Sequence, residues 1–221
     1  MSDGLIETAA KATSATDPRI YGVATGEVIT NCDQTNQGRV QVRLPWLPGY
    51  EPWARVAAPM AGMESGAYFM PQKGDEVLVA FNQGDVLEAF VIGSMWNGAN
   101  KTPVGKSSDA SSKWVLRTPG RHEIVFDDDA QSIAITHASG PHVTLGAKTI
   151  DVKLDDKDTA AMTLDSQGNI TIKAKQRITL DAPNVEIKGS DRAALQSGSA
   201  GSVEIKGGAQ CTIDATRIDI G

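Results

Sequence analysis

Aromatic side chains run out early in this sequence. Of the eleven present, nine lie between Tyr21 and Trp96, Trp114 and Phe126 follow, and the last 95 residues contain none. Large aromatic groups supply much of the buried area in ordinary cores, so the C-terminal half must be held together by Ile, Val, Leu and Ala. That excludes a bulky globular domain there and suits a thin, repetitive one. Cysteine is equally scarce: Cys32 and Cys211 lie far apart, which excludes a disulfide framework and a cysteine-type zinc site. Both are expected as buried small residues. No stretch approaches the roughly 18 apolar residues of a membrane span, and Met1 to Ala15 lacks the basic region and apolar core of a signal peptide, so assembly in the cytoplasm is expected. Basic charge is also in deficit, with 21 Lys+Arg against 27 Asp+Glu and a net charge of -6, which disfavours a nucleic-acid binder. Charged residues make up only 22% of the chain, too few for a disordered polyelectrolyte. There is no Gly-x-Ser-x-Gly elbow, no His-Glu-x-x-His pair and no phosphate loop, so catalysis has little to stand on.

What is present divides into two compositions. From Tyr21 to Asn97 short strands are punctuated by turns: Gly22–Thr30, Gly38–Leu47, Trp53–Pro59, Glu76–Phe81 and Ala89–Ser94. Alternation is clear in Arg39-Val40-Gln41-Val42-Arg43-Leu44, which puts Val40, Val42 and Leu44 on one face. Turns fall at Asn36-Gln37-Gly38, Pro48-Gly49, Lys73-Gly74-Asp75 and Gln83-Gly84-Asp85. Five strands in so short a stretch predict a small closed barrel of the oligonucleotide/oligosaccharide-binding (OB) type. The expected organisation is a flexible or briefly helical lead over 1–19, an OB collar over 20–97, a Gly/Ser-rich linker over 98–112 and a repetitive shaft over 113–221.

The shaft is an internal repeat. Apolar pairs at i and i+2 recur as Ile133/Ile135, Val143/Leu145, Ile150/Val152, Met162/Leu164, Ile170/Ile172, Ile178/Leu180, Val185/Ile187, Val203/Ile205, Cys211/Ile213 and Ile218/Ile220. From Ile170 to Val185, and again from Val203 to Ile218, successive pairs begin eight and then seven residues apart. Each unit is one short strand and one tight turn, with a single narrow apolar stripe. A single-chain solenoid uses about twenty residues per coil; a unit this short makes only one side of a prism. Three intertwined chains would supply all three sides and pair every strand edge. The predicted fold class is therefore all-β: an N-terminal OB-fold barrel followed by an intertwined trimeric β-helix, a triangular prism on the order of 50 Å long at about 4.8 Å per strand. The Gly/Ser/Ala-rich interval 189–201 breaks the repeat, as an outward bulge or a brief helical turn at Asp191–Gln196.

Several stretches then become recognisable: Gly38-Arg39-Val40-Gln41-Val42-Arg43-Leu44-Pro45-Trp46, Trp53-Ala54-Arg55-Val56, Pro71-Gln72-Lys73-Gly74-Asp75-Glu76-Val77-Leu78-Val79-Ala80-Phe81 with Gly84-Asp85, and Val91-Ile92-Gly93-Ser94 followed by Asn97 and Asn100. In order and spacing they resemble the central spikes of contractile injection machines, the phage baseplate assembly protein V and VgrG-like family. His122-Glu123-Ile124-Val125-Phe126-Asp127-Asp128 is similar to that family's entry into the β-helix. The resemblance implies a non-enzymatic homotrimer that joins a baseplate hub to a tip and pierces the target envelope on sheath contraction. With only about twenty residues ahead of the barrel, it further implies a separate hub protein at the N-terminal end. A PAAR-type tip protein would cap the C-terminal end. The sequence departs from the family after the Gly-Asp turn, where Val86-Leu87-Glu88-Ala89 replaces a common proline.

The candidate residues are structural: Ile170, Ile172, Ile178, Leu180, Val185, Ile187, Val203, Ile205, Ile213, Ile218 and Ile220 for the prism interior, and the Gly74-Asp75 turn for the barrel. No catalytic, cofactor or metal residues are expected. Trp46, Tyr50 and Trp53 could stack on bases or sugars, but interleaved Pro45, Pro48 and Pro52 and the acidic balance favour packing roles. Three-fold symmetry could gather His122, His137 or His142 into a metal site, yet His122 and His142 sit next to turns at the start of apolar runs. Asp127-Asp128-Asp129 and Asp155-Asp156-Lys157-Asp158 lack the calcium-loop spacing and read as solvated turns. Two other classes stay open at this point: a trimeric β-rod adhesin or tail-fibre-like receptor binder, and a β-helical polysaccharide-degrading enzyme.

Overall fold

Residues 19–217 are described by a computed structural model. Ile218, Ile220 and all but the last residue of the 1–19 lead lie outside the described residues. Among the described residues the regular structure is β, apart from one 3₁₀ turn at Ser107–Ser111.

The first strands are β1 (Val23–Thr30), β2 (Arg39–Arg43) and β3 (Trp53–Val56), followed by a small hairpin of β4 (Ala61–Gly62) and β5 (Ser65–Gly66). Then come β6 (Glu76–Asn82) and β7 (Asp85–Met95). Strands β1-β2-β3-β7-β6 close into a barrel, with β3 and β7 parallel and the other neighbours antiparallel. Alternation explains the closure. Val28, Val40, Val42, Leu44, Ala54, Val77, Val79 and Val91 point inward and are buried, joined by Phe81 and Ala89. Small β-branched residues dominate because a five-stranded barrel has a narrow interior. Gly26 belongs to the same logic: a Cβ there would lie 3.2 Å from the Arg43 carbonyl oxygen and 3.4 Å from Val79 Cγ2.

The five expected barrel strands are all present, with shifted ends. β7 starts four residues before the expected Ala89 because Gln83-Gly84 makes a tight turn, both residues at positive φ, that carries pairing straight from Asn82 to Asp85. The β4–β5 hairpin had no signal in the alternation, being two residues per strand. Within the linker, Ser112 is buried and its carbonyl accepts from Asp128 N–H at 2.9 Å, which ties the linker's end to the shaft.

The shaft begins as a seven-stranded antiparallel meander: β8 (Lys113–Arg117), β9 (Glu123–Asp127), β10 (Ser132–Thr136), β11 (His142–Leu145), β12 (Thr149–Lys153), β13 (Ala160–Asp165) and β14 (Ile170–Ala174). Beyond β14, residues 176–217 form neither strand nor helix, and every residue from Ser166 to Arg217 is exposed. The helical turn offered for Asp191–Gln196 is not there; the local feature is a turn in which Gly201 N–H donates to Gly198 O at 2.8 Å. Cys32 and Cys211 are exposed rather than buried. Cys32 falls in the polar loop after β1, and Cys211 in the part of the shaft where this chain alone covers nothing.

Candidate assembly face and barrel turn

The meander sorts its side chains by register. Across the ladder Trp114, Phe126, Ile133, Leu145, Ile150, Leu164 and Ile170 are successive cross-strand partners, and two residues along each strand Leu116, Ile124, Ile135, Val143, Val152, Met162 and Ile172 form a second such row. Residues directly opposite in a sheet share a face, as do residues i and i+2. One side of the sheet is therefore two unbroken apolar columns, seven strands long. Ile124, Val143 and Leu164 are half-buried and the others are exposed, from 37% for Ile133 and Met162 to 70% for Trp114.

The opposite side carries Val115, Val125 and Ala134 across β8, β9 and β10 and is otherwise mainly polar, with several of its charged groups partnered. Lys113 reaches Asp109 at 3.0 Å and Asp127 at 3.5 Å, and Arg117 pairs with Glu123. Asp151 accepts from the hydroxyls of Thr163 (2.7 Å) and Thr149 (2.9 Å), which hold its carboxyl below the usual range. Polar groups with internal partners on one face and uncovered Ile, Val and Leu on the other is the arrangement of a sheet built to be covered on its apolar side.

Of the expected prism residues, Ile170 and Ile172 stand in this face, opposite Leu164 and Met162. Ile178, Leu180, Val185, Ile187, Val203, Ile205 and Ile213 are exposed in the segment without strands, and the chain by itself does not bring them together. That segment still repeats: Val-Glu-Ile-Lys-Gly occurs at 185–189 and at 203–207. Both copies pair Glu with Lys, Glu186–Lys188 at 2.9 Å and Glu204–Lys206 at 2.6 Å. In both, a Cβ on the glycine would collide with a carbonyl oxygen three residues on, Arg192 at 2.3 Å and Gln210 at 2.4 Å. The repeat pattern overlooked the first two rungs of the face, Trp114/Leu116 and Ile124/Phe126, although they carry the same i, i+2 spacing.

The Gly74-Asp75 turn is where barrel and linker meet. Gly74 adopts φ +89, which favours glycine, and its N–H donates to Val28 O at 2.8 Å, while Val28 N–H donates to Asp75 O at 3.0 Å. The Asp75 carboxylate accepts from Gln72 N–H at 2.7 Å, closing the turn. Asn100 donates to the Gly74 carbonyl (3.2 Å) and Asn97 to the Glu76 carboxylate (2.7 Å), so the start of the linker is fastened to the turn.

The other candidates are engaged locally. Trp46 meets Phe81 edge-on with centroids 6.2 Å apart, Arg39 lies over Trp53 while paired to Asp33, and the Tyr50 hydroxyl donates to Val86 O. The rings of His122 and His137 lie 4.4 Å apart, and backbone N–H groups of Ala138 and Ser139 donate to their respective Nδ1 atoms. His142 is held separately by the Gly140 carbonyl. No cluster of three metal-ligating side chains occurs among the described residues. Asp155 accepts from Lys157 N–H, Thr159 N–H and the Thr159 hydroxyl, closing its own turn.

A closed OB barrel leading into a β-meander with one apolar, uncovered side defines the class of protein. Residues 24–96 match the family described as the type VI secretion system/phage-baseplate injector OB domain. The chain is 35% identical to the type VI secretion system spike protein VgrG3 of Vibrio cholerae over 113 residues, 46% of this chain and 11% of that protein. It is 26% identical to the spike protein of Escherichia phage P2 over 150 residues, 68% of this chain and 61% of that protein. A third relative, named actin cross-linking toxin VgrG1 of Vibrio cholerae, is 34% identical over 45% of this chain and 10% of its own length. The chain thus spans about a tenth of the length of the VgrG relatives it matches. Its barrel matches the injector OB-domain family, and the chain is similar to spike proteins of type VI secretion and of phage P2.

Proposed function

We propose that this protein is the non-enzymatic central spike of a contractile injection machine, a homotrimer that links a baseplate hub at the barrel end to a tip protein at the far end of the shaft and is driven through the target envelope. In this reading 20–97 is the collar, 98–112 the linker and 113–221 the shaft. The observation that carries it is the two-column apolar face behind an injector OB barrel. Covering an apolar side chain of Val or Leu size is worth about 1.5–3 kcal/mol, and fourteen stand in the face. Association costs about 4–15 kcal/mol in lost freedom, so the face as a whole outweighs it. A rod that transmits axial force also needs its backbone groups paired along its length, which pairing between chains would give residues 176–217.

The experiment is the mass of the purified protein by light scattering. The expected value is near three times 23.3 kDa; a monomer would overturn the proposal.

A further inference from the structure

Beyond the two apolar columns the meander carries a third row. Thr118, His122, His137 and Pro141 follow Leu116, Ile124, Ile135 and Val143 on the same face, at the rim where the strands end. Thr118 N–H donates to His122 O at 2.9 Å and His137 N–H to Pro141 O at 2.8 Å. The register that pairs Glu123 with Thr136 sets His122 directly opposite His137, at the open end of the β9–β10 hairpin. Their rings lie 4.4 Å apart and are inclined at 59°. Both residues are exposed, so the pair fills no core, and the row they share holds no carboxylate.

Two neutral imidazoles side by side are a chelating set. We propose that His122 and His137 bind one late first-row divalent cation, Cu2+, Ni2+ or Zn2+, through their Nε2 atoms. Imidazole donors without carboxylates select these ions over magnesium and calcium. Metal–imidazole bonds of about 2.0–2.1 Å bring two ligating rings close together and inclined, as these are. Gly120 leaves the approach open: a Cβ there would lie 3.5 Å from His122 Nε2 and 3.4 Å from its Cδ2. A ring bound through Nε2 carries its proton on Nδ1 and donates it to an acceptor. For His137 that acceptor is the Ser139 hydroxyl oxygen, 2.8 Å from Nδ1, in exchange for the 3.2 Å contact from Ser139 N–H. His122 gives up only the long 3.4 Å contact from Ala138 N–H. The ion joins the start of β9 to the end of β10 and braces the hairpin where its strands would otherwise fray.

The pair is complete within one chain, so the inference stands apart from the trimeric reading. Untagged full-length protein is dialysed against micromolar Zn2+ and its metal content measured. The expected result is one ion per chain, with affinity lowered roughly tenfold or more by His122→Gln or His137→Gln and unchanged by His142→Gln. No uptake, or uptake that persists in the His122→Gln/His137→Gln double variant, would overturn the site. Cu2+ tests the ligands on the unaltered protein: its electron paramagnetic resonance spectrum should show coupling to two imidazole nitrogens, and coupling to one or none rules the chelate out. Gly120→Ala keeps both imidazoles and fills the approach, so zinc affinity should fall several-fold; an unchanged affinity would overturn the placement of the ion at Nε2.

Discussion

Asp33 shows how a single carboxylate organises a loop that alternation says nothing about. It accepts from the N–H and hydroxyl of Thr35, the N–H of Gln37 and the Arg39 guanidinium, which in turn covers Trp53. Arg39 is the main reason its carboxyl is held far below the ordinary value of 3.8. A carboxyl depressed in the folded state stabilises above its unfolded pKa and loses that contribution as pH falls toward the folded value. Thermal melts should therefore show stability falling below about pH 4, and Asp33→Asn should flatten that acid limb while leaving the neutral-pH fold intact. Gly26 makes the opposite point, since its value lies in what it lacks. Gly26→Val would press on the Arg43 carbonyl and Val79, and overpacking of this kind costs about 1–3 kcal/mol, read as a lowered melting temperature.

At the scale of the strand, neighbouring residues have opposite fates. Ile172 stands in the apolar column and Thr171 on the polar side beside Thr163. Ile172→Asp should abolish assembly, because a carboxylate in a covered apolar face is costly without a partner, while Thr171→Ser should leave the mass unchanged; light scattering distinguishes them. Ile178→Asp asks whether the face continues past β14, and the same loss of assembly is expected. The apolar stripe was legible from the i, i+2 pairs alone. That it comprises two columns with fixed partners, beginning at Trp114 and Phe126, required the register, which depends on turn lengths such as Asp128–Gln131 and Thr118–His122.

For the molecule as a whole, the proposed interlocked trimer predicts resistance to unfolding as well as association. Separating them requires many strands to open together, so the barrier is kinetic. An unboiled sample in detergent should migrate as the trimer and convert to monomer only on heating. Trp114, 70% exposed in the single chain, should become covered on assembly. Its emission, obtained as the difference between the protein and Trp114→Phe, should move to shorter wavelength in the assembled form.

Period-two patterning and glycine turns act locally, so the class of fold is legible in the order of residues alone: Val40, Val42 and Leu44 had to face one way, and Lys73-Gly74-Asp75 had to turn. That order also marked a shaft too thin to enclose its own core. Tertiary structure decided what depends on distant residues meeting: the parallel contact of β3 with β7 that closes the barrel, the anchoring of Asn97 and Asn100 at the Gly74 turn, and the apolar hairpin at Met63. It also corrected the expected burial of Cys32, which sits in a loop that folds on Asp33 rather than on the core. Patterning fixes which way a side chain points, and only the assembled backbone decides what it meets.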